Sequence, residues 1–385
     1  MAEKESKQAE QANQDNIPSK KLITGSPQIH DHASTTKIMW SVSICLIPAA
    51  GWGVYVFGIR ALWVILAAVI TAVLTEYLIA KAFNQNTLFD GSAFLSGLLI
   101  GMNMPPGVPL YIPVVASVFA MAVVKWTFGG LGRNWMNPAL AGRVFVFFSW
   151  TSHMTAWTMP RTLASADAVS GSTPLGMVKT GLMNARGMVT NPFNLLSNQG
   201  YPVSGTDAAV SQWLNTHVLN PVGISLPEGY ADIFIGNVPG SIGEVSALLL
   251  LAGTVYLLAR RIITWEIPAA YIGTFAIFVW IFGGRAYGTG FFSGDILFHL
   301  FTGGLMLGVF YMATDMATSP MTRKGMLIFG AGAGFLTFLI RIFGSFPEGV
   351  SLAIIIMNMF VPLINRYTRP ARFGLPRKKI REAAE

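Results

Sequence analysis

Cysteine is nearly absent: Cys45 is the only one in 385 residues. A disulfide framework and a cysteine-ligated cluster are therefore excluded for this chain by itself, and any iron–sulfur chemistry belongs to a partner. Charge is scarce too, at 11% Asp, Glu, Lys and Arg against roughly 25% in an ordinary soluble domain. The histidines, His30, His32, His153, His217 and His299, have no metal-site spacing. No Rossmann or P-loop unit occurs, so a soluble nicotinamide has no site. The "GAGAG" at 330–334 lies inside an apolar run, where it predicts a close-packing helix face. Residues 1–20 lack the apolar core of a secretory signal and read as a disordered, cytoplasmic tail. The net charge of +8 comes from loop ends and a basic C-terminal tail, without the basic stripe that nucleic acid requires.

Apolar residues are abundant, at 52%. They gather into ten runs, near Ile38–Phe57, Ala61–Ile79, Phe89–Met102, Leu110–Val124, Pro138–Trp150, Ser246–Leu258, Ile267–Phe282, Ile296–Ala313, Met326–Ile342 and Val350–Ile364. A helix needs about 20 such residues to cross a bilayer, and the third and fifth runs fall short. With the N-terminus inside, the short cytoplasmic connections receive Lys37, Lys81, Lys125, Arg133, Arg260, Arg261, Arg323 and Lys324. The short outer ones receive only Arg60, Arg285 and Arg341. This asymmetry, with the basic C-terminal tail also inside, follows the positive-inside rule.

The predicted organisation is a polar cytoplasmic tail (1–36), five membrane segments (37–150), an extracytoplasmic loop (151–245), five more segments (246–365) and a basic cytoplasmic tail (366–385). Five runs on each side of the loop suggest a duplicated unit, and an odd number inverts the second copy. "GLLIGMNMPP" (97–106) can be laid beside "GVFYMATDMATSP" (308–320), and "FGGLGRNWMNPAL" (128–140) beside "FGSFPEGVSLAI" (343–354). The expected fold is an all-α integral membrane protein of about ten helices in two inverted five-helix repeats, some short or broken. Breaks at membrane depth must line a cavity or pack on protein, since lipid cannot satisfy their amides. Matched breaks point to a central site for an ion or cofactor.

Ionisable groups inside a membrane are costly and therefore candidates for function. Glu76, in "TAVLTEYLIAKAF", is either a proton or cation relay or an interfacial residue paired with Lys81. Asp315 and Glu348 stand at segment ends, where a carboxylate either ligates a cation or caps a helix; the cap is favoured for Glu348. Asp90 and Asp295 precede segments in the same way. His299 reads as a helix–helix hydrogen-bond partner. The loop segment "DAVSGSTPLG" (167–176) places three hydroxyls in four residues, which on spacing alone is a turn.

Taken together, "NWMNPALAGRVF" (134–145), "SGSTPLG" (170–176), "YMATD" (311–315) and "FPEGVSLAIIIMNMFVPLINRYTRPARFG" (346–374), in that order, give the chain a specific resemblance. It resembles the membrane subunits of the Rnf and Na+-pumping quinone reductase complexes, RnfD and NqrB, over nearly all of 37–375. In that family the threonine of an S-G-A-T motif carries FMN through a phosphoester made by a separate flavin transferase. The matching residue is Thr173, with Ser170, Gly171 and Ser172 completing the motif; Ser172 replaces the usual alanine and adds a competing hydroxyl. A polar outer loop would give the transferase access, Gly171 would permit a strained turn, and Asp167 would orient the transferring machinery.

The resemblance also implies a non-covalent riboflavin, with Asn134 and Asn137 as its candidate contacts. Glu76 and Asp315 fall at family positions associated with ion passage. No catalytic residue and no metal ligand follows from it. "TRPARFG", Pro174 and the modest length resemble the Rnf branch. The implied protein is a multi-pass subunit in a bacterial or archaeal inner (plasma) membrane, with both termini cytoplasmic and its flavin loop outside. It would carry electrons between ferredoxin and NAD+ while the complex moves Na+ or H+. Its partners would be other Rnf subunits, including an FMN-bearing extracytoplasmic one and iron–sulfur ones, with the bilayer around it. Two alternatives stand beside this: an NqrB-like quinone reductase subunit, and a non-redox channel or secondary transporter.

Overall fold

The structure, a computed structural model, describes residues 34–85, 87–163, 171–184, 192–198, 201–222, 227–286, 290–344 and 349–370. Asp167, Ser170, Glu348, His30 and His32 lie outside the described residues. Among the described residues the regular structure is helical, apart from one isolated bridge between Trp157 and Gly171.

Helices α1 (Thr35–Phe57) and α2 (Ile59–Ala82) have 23 and 24 residues. At about 1.5 Å per residue each reaches roughly 35 Å, enough to cross a hydrocarbon core of about 30 Å. Gly58 makes the tight reversal between them at φ 86°, a conformation open to glycine and strained for other residues. Helix α3 (Ser92–Met102) is short, and α4 (Tyr111–Val118) continues as a π-helix through Trp126. Helix α5 (Pro138–Ser149) starts with Pro138 at its first position behind the N-cap Asn137, where a missing N–H costs nothing.

Among the described residues of the 151–245 segment, a single-turn helix at Thr151–Met154 is followed by four short ones: α6 (Pro174–Asn184), α7 (Pro192–Asn198), α8 (Gly205–Leu214) and α9 (Tyr230–Ile235). Two buried carboxylates organise it. Asp207 accepts from the amides of Gly229 and Asp232 at 2.6 and 2.9 Å, and Asp232 accepts from the amide and hydroxyl of Ser204 at 2.8 and 2.6 Å. The second five-element set follows as α10 (Ala247–Ala259), α11 (Glu266–Phe278, continuing as a π-helix to Gly283), α12 (Ile296–Phe301), α13 (Leu305–Leu307, continuing as a π-helix to Met312), α14 (Arg323–Phe343) and α15 (Val350–Tyr367). Among the described residues five helices are long and apolar enough to cross a membrane, and shorter apolar ones accompany them.

The two sets share a packing scheme. In the first, α2 packs on α3 and α4, and α3 packs on α5; in the second, α11 packs on α14 and on the 308–312 π-segment, and that segment packs on α15. Elements of equal rank also meet across the halves, α1 with α10 and α5 with α15. The eighth apolar run is one broken element: α12 ends at Thr302, and the chain passes through Gly303, at φ 68°, before α13.

The matched breaks meet at the centre. Asn103, just past α3, reaches the Met312 sulfur at 3.7 Å. The carbonyls of Met102 and Met104 accept from the amides of Gly243 and Ile242 at 2.8 and 3.1 Å. The polar backbone of the first break is thus satisfied by the chain leading into α10, as burial in an apolar surround requires.

The glycine face of α14 is also real. An added Cβ would lie 2.6 Å from the Ile267 carbonyl oxygen at Gly330 and 2.4 Å from that of Tyr271 at Gly334. Gly334→Leu is expected to separate α11 from α14 at a cost of about 1–3 kcal/mol or more, read as a lowered melting temperature in detergent; an unchanged melting temperature would contradict this packing.

Two residues assigned to loops prove to be interior. Lys125 and Arg341 are only 1% and 3% exposed. Lys125 is carried inward because the helix of α4 runs on through Trp126 in π form. Arg341 lies in the last turn of α14, where its Nη1 donates to the His299 carbonyl and its guanidinium sits 5.3 Å from the Phe275 ring centroid.

Candidate cofactor and ion sites

Glu76 is fully buried on α2, and its partner is Lys125, at 2.9 Å, in place of the Lys81 considered from sequence. Lys81 instead lies over the Tyr77 ring, 5.9 Å from its centroid. The same Glu76 oxygen, Oε1, accepts from Thr87 Oγ1 at 2.9 Å, and Oε2 accepts from Trp126 Nε1 at 2.8 Å. Lys125 also donates to Ser92 Oγ at 2.7 Å, while Ser92 donates its own proton to Asp90 Oδ1 at 2.6 Å. An ion pair removed from water survives only with such additional hydrogen bonds. The π-helical register supplies them by turning both Lys125 and Trp126 toward α2.

Lys125 and Ser92 form part of the wall of a cleft between the two halves, which encloses about 790 Å³, part of it open to the outside. Its apolar walls come from residues such as Val42, Leu99, Leu257 and Phe310, and its polar lining includes Asn134, Asn137, Thr314 and Asp315. Three sequence candidates are therefore brought to one place, with Glu76 one side chain behind it.

The roles of the two asparagines separate. Asn137 Oδ1 caps α5 by accepting from the amides of Ala139 and Leu140 at 3.0 and 3.4 Å, and its Nδ2 donates to the Met312 carbonyl at 3.2 Å. With the Asn358 amide oriented to satisfy its neighbours, the Asn137 backbone N–H donates to it at 3.2 Å. Asn137 thus fastens one half to the other. Asn134 is 8% exposed, and its Oδ1 has no hydrogen-bond partner among the described residues. Asp315 accepts from the Ala317 amide at 3.3 Å and from Thr318 Oγ1 at 3.0 Å, so its carboxylate shapes the turn behind the broken element.

Thr173 occupies a second place. Its Oγ1 accepts from the Gly176 amide at 3.1 Å and its carbonyl from the Met177 amide at 2.9 Å, so it acts as the N-cap of α6. It is buried, at 5% exposure, whereas Ser172 is exposed. This corrects the expectation of an openly accessible loop: the capping bond and the packing of α6 draw Thr173 inward. Gly171 is corrected too. It is absent from the positive-φ residues; its amide donates to the Trp157 carbonyl at 3.0 Å, and the Met159 side chain lies where a Cβ would stand, 2.2 Å from the sulfur.

Thr173 lines a narrow pocket, about 330 Å³ with the solvent at its mouth included, together with Pro239, Glu244, Thr302 and Gly303 among others. Glu244 is 6% exposed, and its Oε1 lies 3.6 Å from Arg143 Nη2 of α5. Arg143 also donates to Ser351 Oγ of α15, so this buried group joins both halves to the 151–245 segment. Gly304 admits the Glu244 side chain, since a Cβ would stand 2.2 Å from Oε1. Lys179 of α6 donates to the carbonyls of Arg341, at 3.2 Å, and Gly344, docking α6 on the end of α14. Burial, and then the Arg341 charge, lower the Lys179 pKa. Sequence reasoning missed Lys125, Arg143 and Glu244. The one available signal was their charge inside or beside apolar runs.

The fold and sites define a multi-pass membrane protein, helical in its described residues, whose two similar halves flank a mostly apolar cleft with a few polar groups, and which carries a capped threonine in the segment that joins them. A family model described as the NQR2, RnfD, RnfE family matches residues 22–374. Over 356 residues the chain is 44% identical to the D subunit of the proton-translocating ferredoxin:NAD(+) oxidoreductase complex of Clostridium ljungdahlii, covering 92% of this chain and 96% of that protein. It is 38% identical to the D subunit of the Na(+)-translocating ferredoxin:NAD(+) oxidoreductase complex of Acetobacterium woodii, covering 93% and 96%. It is 37% identical to the D subunit of the ion-translocating oxidoreductase complex of Stutzerimonas stutzeri, covering 89% and 93%. The chain belongs to the NQR2, RnfD, RnfE family.

Proposed function

We propose that this chain is the D subunit of an ion-translocating ferredoxin:NAD+ oxidoreductase. In this reading it carries electrons through FMN esterified to Thr173 and through a riboflavin held without covalent bonds in the cleft. The observation that carries it is the capped Thr173 at the start of α6, in a chain similar along its length to proteins named as that subunit. Flavins supply the one- and two-electron redox chemistry that no side chain here provides.

The residues fit both groups. A helix N-terminus favours a phosphate through its dipole and amides; in the 11-residue α6, Pro174 has no N–H and the Gly176 amide is held by Thr173 Oγ1, so the dipole and the Leu175 amide are what it offers. Esterification removes the Thr173 hydroxyl proton but leaves the oxygen able to accept from Gly176. Glu244 in the same cavity would oppose a phosphodiester, and the Arg143 guanidinium offsets that carboxylate. Because Thr173 is buried, attachment requires the 171–184 segment to be undocked, so a flavin transferase acts before that segment closes or during its opening. In the cleft, Asn134 Oδ1 is a buried acceptor suited to a ring N–H.

On this reading the 151–245 segment faces outward, both termini face the cytoplasm, and the partners are the remaining subunits of the complex. Two measurements test it. After denaturation, part of the flavin is expected to remain with the polypeptide and part to be released as riboflavin. Asn134→Leu is expected to deplete the released fraction and spare the retained one, whereas riboflavin content equal to wild type would remove Asn134 from the site. Absence of retained flavin in protein from cells with an active flavin transferase would favour the non-redox transporter.

A further inference from the structure

We propose that Lys125 is a tethered cation, whose ammonium fills an oxygen cage between Glu76 and the cleft and must withdraw before a transported monovalent cation can reach Glu76. The proposal rests on the ion-translocating reading above and names the device that would gate it.

The cage is defined by its hydrogen bonds. Lys125 Nζ is 2.9 Å from Glu76 Oε1 and 2.7 Å from Ser92 Oγ. Ser92 has committed its proton to Asp90 Oδ1 at 2.6 Å, so a lone pair faces the ammonium. That hydroxyl orientation serves a metal cation equally well. Thr87 and Trp126 donate to Glu76 from other directions and hold the carboxylate still. All charge inside the cage is thus arranged for one positive ion, and the chain supplies that ion itself.

A purely structural salt bridge needs no access. This one has it on a single side: Lys125 and Ser92 line the cleft, with Asp315 in the same lining, whereas Glu76 does not line it. The order from the cleft inward is therefore the lining itself, with Lys125, Ser92 and Asp315, and then Glu76 behind Lys125. The four-carbon arm of lysine lets its ammonium move without backbone change. Negative charge gained in the cleft would draw the ammonium away from Glu76 and leave the cage open to a cation of the same sign. Reoccupation by Lys125 would then eject that cation, so the same group opens and closes the path.

The test uses the intact complex in sealed liposomes, with radioactive Na+ and a pH-sensitive dye as separate probes. Without an electron donor, wild type is expected to hold an imposed Na+ or proton gradient. Lys125→Met is expected to dissipate the gradient of the transported ion at least tenfold faster and to lower the number of ions moved per electron transferred. Lys125→Arg is expected to restore a tight membrane. The charge-neutral pair Glu76→Gln with Lys125→Met, which removes any penalty of a lone buried carboxylate, is expected to assemble, to be tight, and not to pump. A tight Lys125→Met complex that pumps at the wild-type ratio overturns the proposal. So does a neutral pair that pumps normally, whether or not the single variant assembles, because the bridge would then be structural. A wild-type complex that transfers electrons and moves neither ion defeats the ion-translocating reading itself, while the leak measurement, made without donor, still reports on the tether.

Discussion

Thr173→Ala is expected to leave the denatured subunit with no fluorescent flavin band and to reduce ferredoxin-linked electron transfer by the complex to background. The loss would not come from unfolding. Removing a threonine N-cap costs about 0.5–2 kcal/mol, a modest part of the roughly 5–15 kcal/mol that holds a folded protein together. Thr173 contributes one such capping bond, from the Gly176 amide at 3.1 Å. Ser172→Ala is expected to keep the band, since Ser172 is exposed and Thr173 caps the helix. Thr173→Ser keeps an acceptor oxygen for the cap and a hydroxyl for the ester, and should retain a band. A band surviving in Thr173→Ala and lost in Ser172→Ala would move the attachment by one residue. A band surviving in both would place it elsewhere.

Arg143→Met is expected to destabilise the protein by about 3–5 kcal/mol, the usual cost of leaving one member of a buried ion pair uncompensated. Glu244 is nearly inaccessible and only 3.6 Å from that guanidinium, and the Arg143 bond to Ser351 disappears in the same step. The double variant Arg143→Met with Glu244→Gln carries no uncompensated charge and is expected to recover most of the loss. Thermal denaturation in detergent, followed by helix content, measures both. If the single variant stays within about 1 kcal/mol of wild type, as an exposed pair would, the group does not join the two halves in the way its geometry implies.

The scaffold was legible because membrane solvent imposes a simple rule: each spanning helix must be apolar along its length. The ten runs read from hydropathy correspond to helices or to one broken helix, and the short third and fifth runs became α3 and α5, of 11 and 12 residues. The glycines at 330 and 334 could be read as a packing face because close helix contact demands them wherever the neighbour lies. Charge was harder to read. Lys125 sits next to Trp126 and a glycine-rich turn, so in one dimension it looks like a loop end. Its burial follows from a π-helical extension that no residue pattern announces. Pairing over long separations is equally invisible: Glu76 with Lys125, Arg143 with Glu244 and Ser351, Asn137 with Met312. Asn134 and Asn137 looked alike in sequence, and only the cap geometry of α5 divides a structural asparagine from one with an open acceptor. Thr173 was found through resemblance, since three hydroxyls in four residues describe many turns; its burial and capping role needed coordinates.

The account depends most on a flavin phosphate joined to Thr173, and peptide mass analysis of the subunit purified from its native host tests that directly. The expected result is a peptide containing residues 170–176 that carries the mass of FMN less one water, with fragment ions that assign the added mass to Thr173. Recovery of that peptide wholly unmodified, from a complex active in electron transfer, would contradict it.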